Sequence, residues 1–170
     1  MTIRIQLFLL LCCLGRVCCM AEKGVLSKGT LKIYKNECKN LKEEGWKVYD
    51  KALSVDEALM QYYQQLEMGG DTVVHVIGTG LSRNVNTAYS KARSHASAQL
   101  ASMRESQVAA QTTIRMSQST ADTEGGNTQF STNIRTSAEQ TMKALVPVVS
   151  LCRTVKDGKT EIRLYYIINN

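Results

Sequence analysis

The residues Gly78-Thr79-Gly80 stand where a glycine loop after an apolar strand could cradle a phosphate, inside "DTVVHVIGTGLSRNVNTAYSKARSHASAQLA" (Asp71 to Ala101). A dinucleotide fingerprint needs a third glycine three positions after the second, and an acidic residue about twenty positions further on for the ribose. Position 83 is Arg83, and the acid nearest the required place, Glu105, falls inside a helical pattern. What remains is a lone Gly-x-Gly beside a cation. It would serve as a small-ligand, anion or nucleotide module in which Arg83 and the free amides of a helix N-terminus meet the charge.

Other reactive side chains assemble less. Ser82, His75 and Asp71 are the three residue types of a hydrolytic triad, but they sit on one strand and its turn without a nucleophile elbow. Glu67 and Asp71 flank a Gly-Gly turn, where two carboxylates are ordinarily solvated and lack the shaped pocket that acid/base work requires. His75, within an apolar run, is expected as a hydrogen-bonded histidine on the sheet and not as a ligand. No CxxC or Cys/His spacing marks a metal site, and no cofactor is expected. The chain therefore reads as a non-enzyme.

The elements that would position these residues follow from periodicity. Val73 to Ile77 is a near-continuous, β-branched apolar run, expected as a central strand buried on both faces. After the glycines, Asn84 or Asn86 caps a helix to about Glu105, with Val85, Ala88, Ala92, Ala96, Leu100 and Met103 as its inner stripe. Alanine at three successive turns demands close approach to a sheet. That demand explains Gly78 and Gly80 as a structural turn motif without any ligand.

Upstream, "GWKVY" alternates as a short strand. Ser54 and Glu57 then form a capping box for a helix with Val55, Leu59, Tyr62 and Leu66 on one face, closed by Gly69-Gly70. Downstream, "SQVAAQTTIRMSQST" alternates Val108, Ala110, Thr112, Ile114 and Met116 against polar neighbours, and predicts a strand with one wet face. "ADTEGGNT" reads as a loop. Phe130, Ile134, Ala138, Met142 and Leu145 predict a second helix, and Pro147 marks its exit into strands at 148–155 and 161–168 joined by Asp157-Gly158. The sum is an α+β fold: a two-layer sandwich, largely antiparallel, with helices packed on one face.

At 170 residues and 44% hydrophobic, the chain can build a core. Residues 1–21 read as a signal peptide: Arg4, an apolar run from Leu7 to Leu14 too short to span a bilayer, and small residues near Ala21. Cleavage near Ala21 is favoured, because acylation of Cys18 or Cys19 would want a small residue just before the cysteine. A lipid anchor on either is the alternative, and the only membrane attachment foreseen. Loss of Arg4 and Arg16 lowers the net charge from +6 to +4. Lysines mixed with Glu37, Glu43 and Glu44 then describe a solvated surface and exclude a nucleic-acid face. Cys38 and Cys152 are left in the body. A disulfide between them would be worth on the order of 4 kcal/mol in an oxidising compartment; alternatively Cys152 is a small buried residue of a strand. Of the adjacent pair Tyr165 and Tyr166, one is expected to face outward, where it could contact a glycan.

The segment "VVHVIGTGLSRNVNTAYSKARSHASAQLA", followed by a polar-alternating strand, a second helix and an Asp-Gly hairpin, resembles the LPP-twenty lipoprotein family. Those are small exported bacterial envelope proteins. The resemblance spans about residues 71–168 and implies an α+β domain at 71–170, preceded by a strand-helix extension at 22–70. It also implies a periplasmic or outer-membrane-associated location, without a shared enzymatic activity. The absence of a catalytic constellation points separately to a role in protein-protein contact or self-association.

Overall fold

A computed structural model describes residues 26–49, 51–116 and 127–169, the side chains of 111–116 and 127–130 excepted. The leader at 1–21, with Cys18 and Cys19, and the Gly125-Gly126 segment lie outside the described residues.

Helix α1 (Lys28–Glu43) opens on Ser27, whose side chain accepts from the Thr30 amide, and buries Tyr34, Cys38 and Leu41 at helical spacing. It stops where Gly45, at φ 77°, turns the chain into the left-handed region. The Gly45 amide reaches the Lys42 carbonyl and the Trp46 amide reaches that of Leu41, so the last turn's acceptors are satisfied. Strand β1 (Lys47–Val48) follows, then helix α2 (Val55–Gly69) behind the predicted Ser54/Glu57 capping box, formed in both directions. Strand β2 (Val73–Ser82) and helix α3 (Val85–Met116) form the Gly-x-Gly unit. Helix α4 (Asn127–Ala144), strand β3 (Val149–Thr154) and strand β4 (Thr160–Asn169) complete the chain. Asp157 and Gly158, both at positive φ, make the hairpin turn between β3 and β4.

The sheet runs β1-β3-β4-β2 with every pairing antiparallel. The α+β sandwich with an antiparallel sheet is therefore formed, but its helices cover both faces of the sheet and not one, so it has three layers where two were expected. Alternation on β4 divides the side chains: Ile162, Leu164, Tyr166 and Ile168 pack toward α3 and α4, while Tyr165 and Ile167 pack toward α1 and α2. The expected strand-helix extension therefore carries an additional helix, α1, ahead of its strand, and residues 26–70 supply an edge strand and the second helical layer of the same sheet. With both faces covered, Tyr165 and Tyr166 are both buried, so neither is the outward tyrosine expected from the sequence.

Three further expectations are corrected. Residues 107–116 are helical, the continuation of α3, and not a wet-faced strand. Ala109, Ala110 and the glutamines are good helix formers, and adding one residue to an existing helix costs far less than starting a strand. Strand β2 lies at the sheet edge, not its centre; its apolar run is explained by helical cover on both sides of an edge strand. Cys38 and Cys152 are free thiols: Cys38 packs with α1 and α2, Cys152 with α3 and α4, and the sheet between them prevents the close Cα approach a disulfide needs.

Candidate functional site

Gly78 and Gly80 are not the structural turn expected from the sequence: both lie within strand β2, paired with Leu164 and Ile162, and the chain bends only after Ser82. The Gly-x-Gly segment has no room for a phosphate on its helix side. A Cβ built on Gly78 would lie 2.8 Å from the Ala96 Cβ, and closer still to the Ala92 carbonyl oxygen. One on Gly80 would lie 2.5 Å from the Ala92 amide nitrogen, and closer still to the Ala88 carbonyl. Ala88, Ala92 and Ala96 are all fully buried. Helix backbone therefore rests on strand backbone, with glycine below and alanine above at every turn of contact. Arg83 is exposed in the bend before α3, away from the glycine faces. Asn84 caps the helix, its side chain accepting from Thr87 at 3.1 Å.

The candidate catalytic residues do not converge. His75 and Ser82 lie seven positions apart on one strand, roughly 23 Å, and on opposite faces because one number is odd and the other even. Asp71 is exposed in the turn before the strand. Glu67 is occupied elsewhere: it accepts from the Ser27 amide at 3.0 Å and the Thr30 hydroxyl at 3.3 Å, contacts that tie α2 to the start of α1, and the Ser27 side chain first, then these two donors, hold its carboxyl below the usual range. Among the described residues no cluster of His, Cys, Asp and Glu could hold a metal, and no helix is long and apolar enough to cross a membrane.

What α3 does bring to β2 is cover for half of its edge. The Thr79 amide donates to His95 Nδ1 at 3.1 Å, and Lys91 Nζ donates to the Leu81 carbonyl at 3.2 Å. Lys91 and His95 are one helical turn apart, so both reach over the strand from the same side of α3. These two contacts fix the geometry of the edge. Thr79 and Leu81 turn their main-chain groups away from β4, and by strand alternation Val73, His75 and Ile77 do the same. No hydrogen bond to these three outward groups is seen among the described residues, and His75 is exposed. The edge of β2 is capped from Thr79 onward and open from Val73 to Ile77.

Two polar assemblies, each built against a buried aromatic side chain, hold the frame around this edge. The guanidinium groups of Arg153 and Arg163 both lie over the Trp46 ring, 4.7 and 4.5 Å from its centroid. Its indole donates to Glu44 at 2.9 Å, and Arg153 binds both Glu44 and Glu161 at 2.7 Å. On the same face, Tyr34, Tyr63, Tyr62 and Tyr165 make a chain of edge-on ring contacts, and the hydroxyls of Tyr63 and Tyr165 both donate to Glu37. Burial first, then its contact with Cys38, pushes the Tyr34 hydroxyl up to about 12; burial likewise pushes the Cys38 thiol up to about 11. These groups are neutral, packed parts of the core.

The sequence concealed the open edge because nothing in residues 73–77 says which strand will pair where. Lys91 and His95 were legible only as polar residues beside an alanine stripe. Compared with protein-family models, with curated proteins and with solved structures, the chain matches none.

Proposed function

We propose that this chain is a non-enzymatic bacterial cell-envelope protein that works by self-association through the open half of the β2 edge. The envelope setting rests on the leader pattern at 1–21 and on the resemblance to exported lipoproteins. The observation that carries the contact is the division of one ten-residue edge strand into a capped half and an uncapped half.

Exposed edges are ordinarily blunted by lysine, proline, a bulge or a covering element. Lys91 and His95 do this for Thr79 and Leu81. Val73 to Ile77 carries no charged residue and no proline, so it is a bare template for another strand. The occupant that fits is a second copy, because the open groups are symmetric about His75. Antiparallel pairing across a two-fold axis at His75 sets Val73 against Ile77 of the partner copy, and makes roughly six main-chain hydrogen bonds from three hydrogen-bonded pairs. The two sheets then run on as one.

Light scattering on the purified protein tests this. The wild type is expected as a dimer and His75→Pro as a folded monomer, since the His75 amide faces outward and proline there removes no bond to β4. Val74→Pro, whose amide faces β4, is expected to unfold the strand. Should His75→Pro fail to fold, His75→Glu sets like charges against each other across the axis and gives the same readout. A monomeric wild type at the highest soluble concentration, or a dimer that survives either His75 change, overturns the proposal.

A further inference from the structure

The solvent side of α3 and α4 carries a cleft of about 510 Å³, within the size range of small-molecule sites. Arg93 lines it, with Ser94 and the buried Ser97 on the same helix, and Lys143 stands opposite on α4. Ala101 and the buried Met142 supply an apolar floor. At the far end Glu105 is already paired with Arg135 at 3.5 Å and accepts a hydrogen bond from the Ser131 hydroxyl at 2.8 Å.

Arg93 is the least exposed cation lining the cleft, and with Arg163 one of two arginines whose Nε is buried without a hydrogen-bond partner among the described residues. It is half-buried, and its guanidinium lies 5.5 Å from the centre of the Tyr89 ring. The Tyr166 hydroxyl beside it is also buried; burial acts against the guanidinium's charge, but the Tyr166 and Tyr89 hydroxyls outweigh it and hold the Arg93 pKa above its ordinary value. The ion pairs among the described residues are Lys39–Glu43, Lys42–Asp56, Arg135–Glu105, Arg153–Glu44 and Arg153–Glu161; none serves Arg93 or Lys143. A cation taken part-way out of water without a counter-charge is costly, and buried guanidinium groups are ordinarily paired. Here two tyrosine hydroxyls and an open cleft stand beside the guanidinium, and Glu139, the carboxylate on α4 that shares the cleft, makes no ion pair with it among the described residues.

We infer that the α3–α4 cleft binds a small amphiphilic anion. Its carboxylate or phosphate head meets Arg93, Ser94, Ser97 and Lys143, and its short apolar body lies on Ala101 and Met142. Arg93 offers planar paired donors suited to either head, and the serines add neutral donors from adjacent positions of the helix. The cleft shares no residue with the open β2 edge, so ligand binding and self-association fail or succeed separately.

Isothermal titration calorimetry of the purified protein with octanoate and with octyl phosphate tests the inference, with octanol as the uncharged control and acetate and inorganic phosphate as heads without bodies. Saturable one-site binding of at least one amphiphile is expected, and the tighter of the two identifies the head. Arg93→Gln should weaken it about tenfold or more, as for a lost charge-assisted bond. Lys143→Gln, on the exposed rim, should weaken it several-fold and keeps the test open if the Arg93 variant does not fold. Arg83→Gln should leave it unchanged. The inference is overturned if neither amphiphile saturates, if octanol binds as tightly, if acetate or phosphate alone binds as tightly, or if Arg93→Gln and Lys143→Gln both bind like the wild type.

Discussion

Replacing Gly80 with alanine decides what the Gly-x-Gly motif is for. In a strand with free space above it, alanine is the better residue, and Gly→Ala would stabilise the protein by about 0.5–1 kcal/mol. In this structure the new methyl would lie 2.5 Å from the Ala92 nitrogen, about 1 Å short of the roughly 3.5 Å at which such contacts become favourable. The obstructing atoms are helix backbone, so no side chain can swing aside. Helix α3 must lift from the sheet, loosening Ala88, Ala92, Ala96 and Leu100, at most 2% exposed in the native packing. The expected cost is about 2–4 kcal/mol, at or above the usual range for overpacking. That corresponds to a fall in Tm of roughly 5–15 °C for a chain of this size. Urea unfolding followed through Trp46, the only tryptophan, gives the number directly. Gly29→Ala is the control: Gly29 lies in the first turn of α1 with nothing within 4 Å of its added methyl, and should gain a few tenths to about 1 kcal/mol. A Gly80→Ala protein as stable as the wild type, or more so, would refute the close-packing account.

Other expectations follow from the same packing. Arg153→Ala should cost about 1 kcal/mol in urea unfolding, because it removes the cation over the Trp46 ring and leaves the part-buried Glu161 without its partner. The Cys38 thiol and Tyr34 hydroxyl bind their protons more tightly folded than unfolded, so stability should hold below about pH 9 and fall as pH rises toward 11 and 12; Cys38→Ala should flatten the first part of that fall in alkaline urea titrations. Because Cys38 and Cys152 lie on opposite faces of the sheet, a thiol reagent should count both after unfolding without reductant, and reductant should leave Tm unchanged.

Much of this fold was legible because local signals were strong. The Ser54/Glu57 box, the alanine stripe facing two glycines, and the Asp157-Gly158 turn each state their structure within a few residues. Helix α1 was equally marked, by Ser27 and by Leu31, Tyr34, Cys38 and Leu41 at three- and four-residue spacing, but its many lysines masked the stripe. The period-two pattern from Val108 to Met116 misled because α3 was already formed and its next residues are good helix formers. Two features were beyond local reading. Helical cover on both faces depends on how residues 22–70 return to the sheet, and the edge position of β2 depends on β4 pairing with it and with β3. The candidate site inherits that limit: Lys91, His95 and the open groups at Val73, His75 and Ile77 acquire meaning only once β2 is known to be an edge.

Amide hydrogen exchange measured as a function of protein concentration tests the self-association account most directly. The amides of Val73, His75 and Ile77 should exchange fast in dilute protein and slow together as concentration rises, while the Thr79 amide, held by His95, stays protected throughout. Exchange at these three positions that is independent of concentration, or concentration-dependent protection confined to another surface, would contradict it.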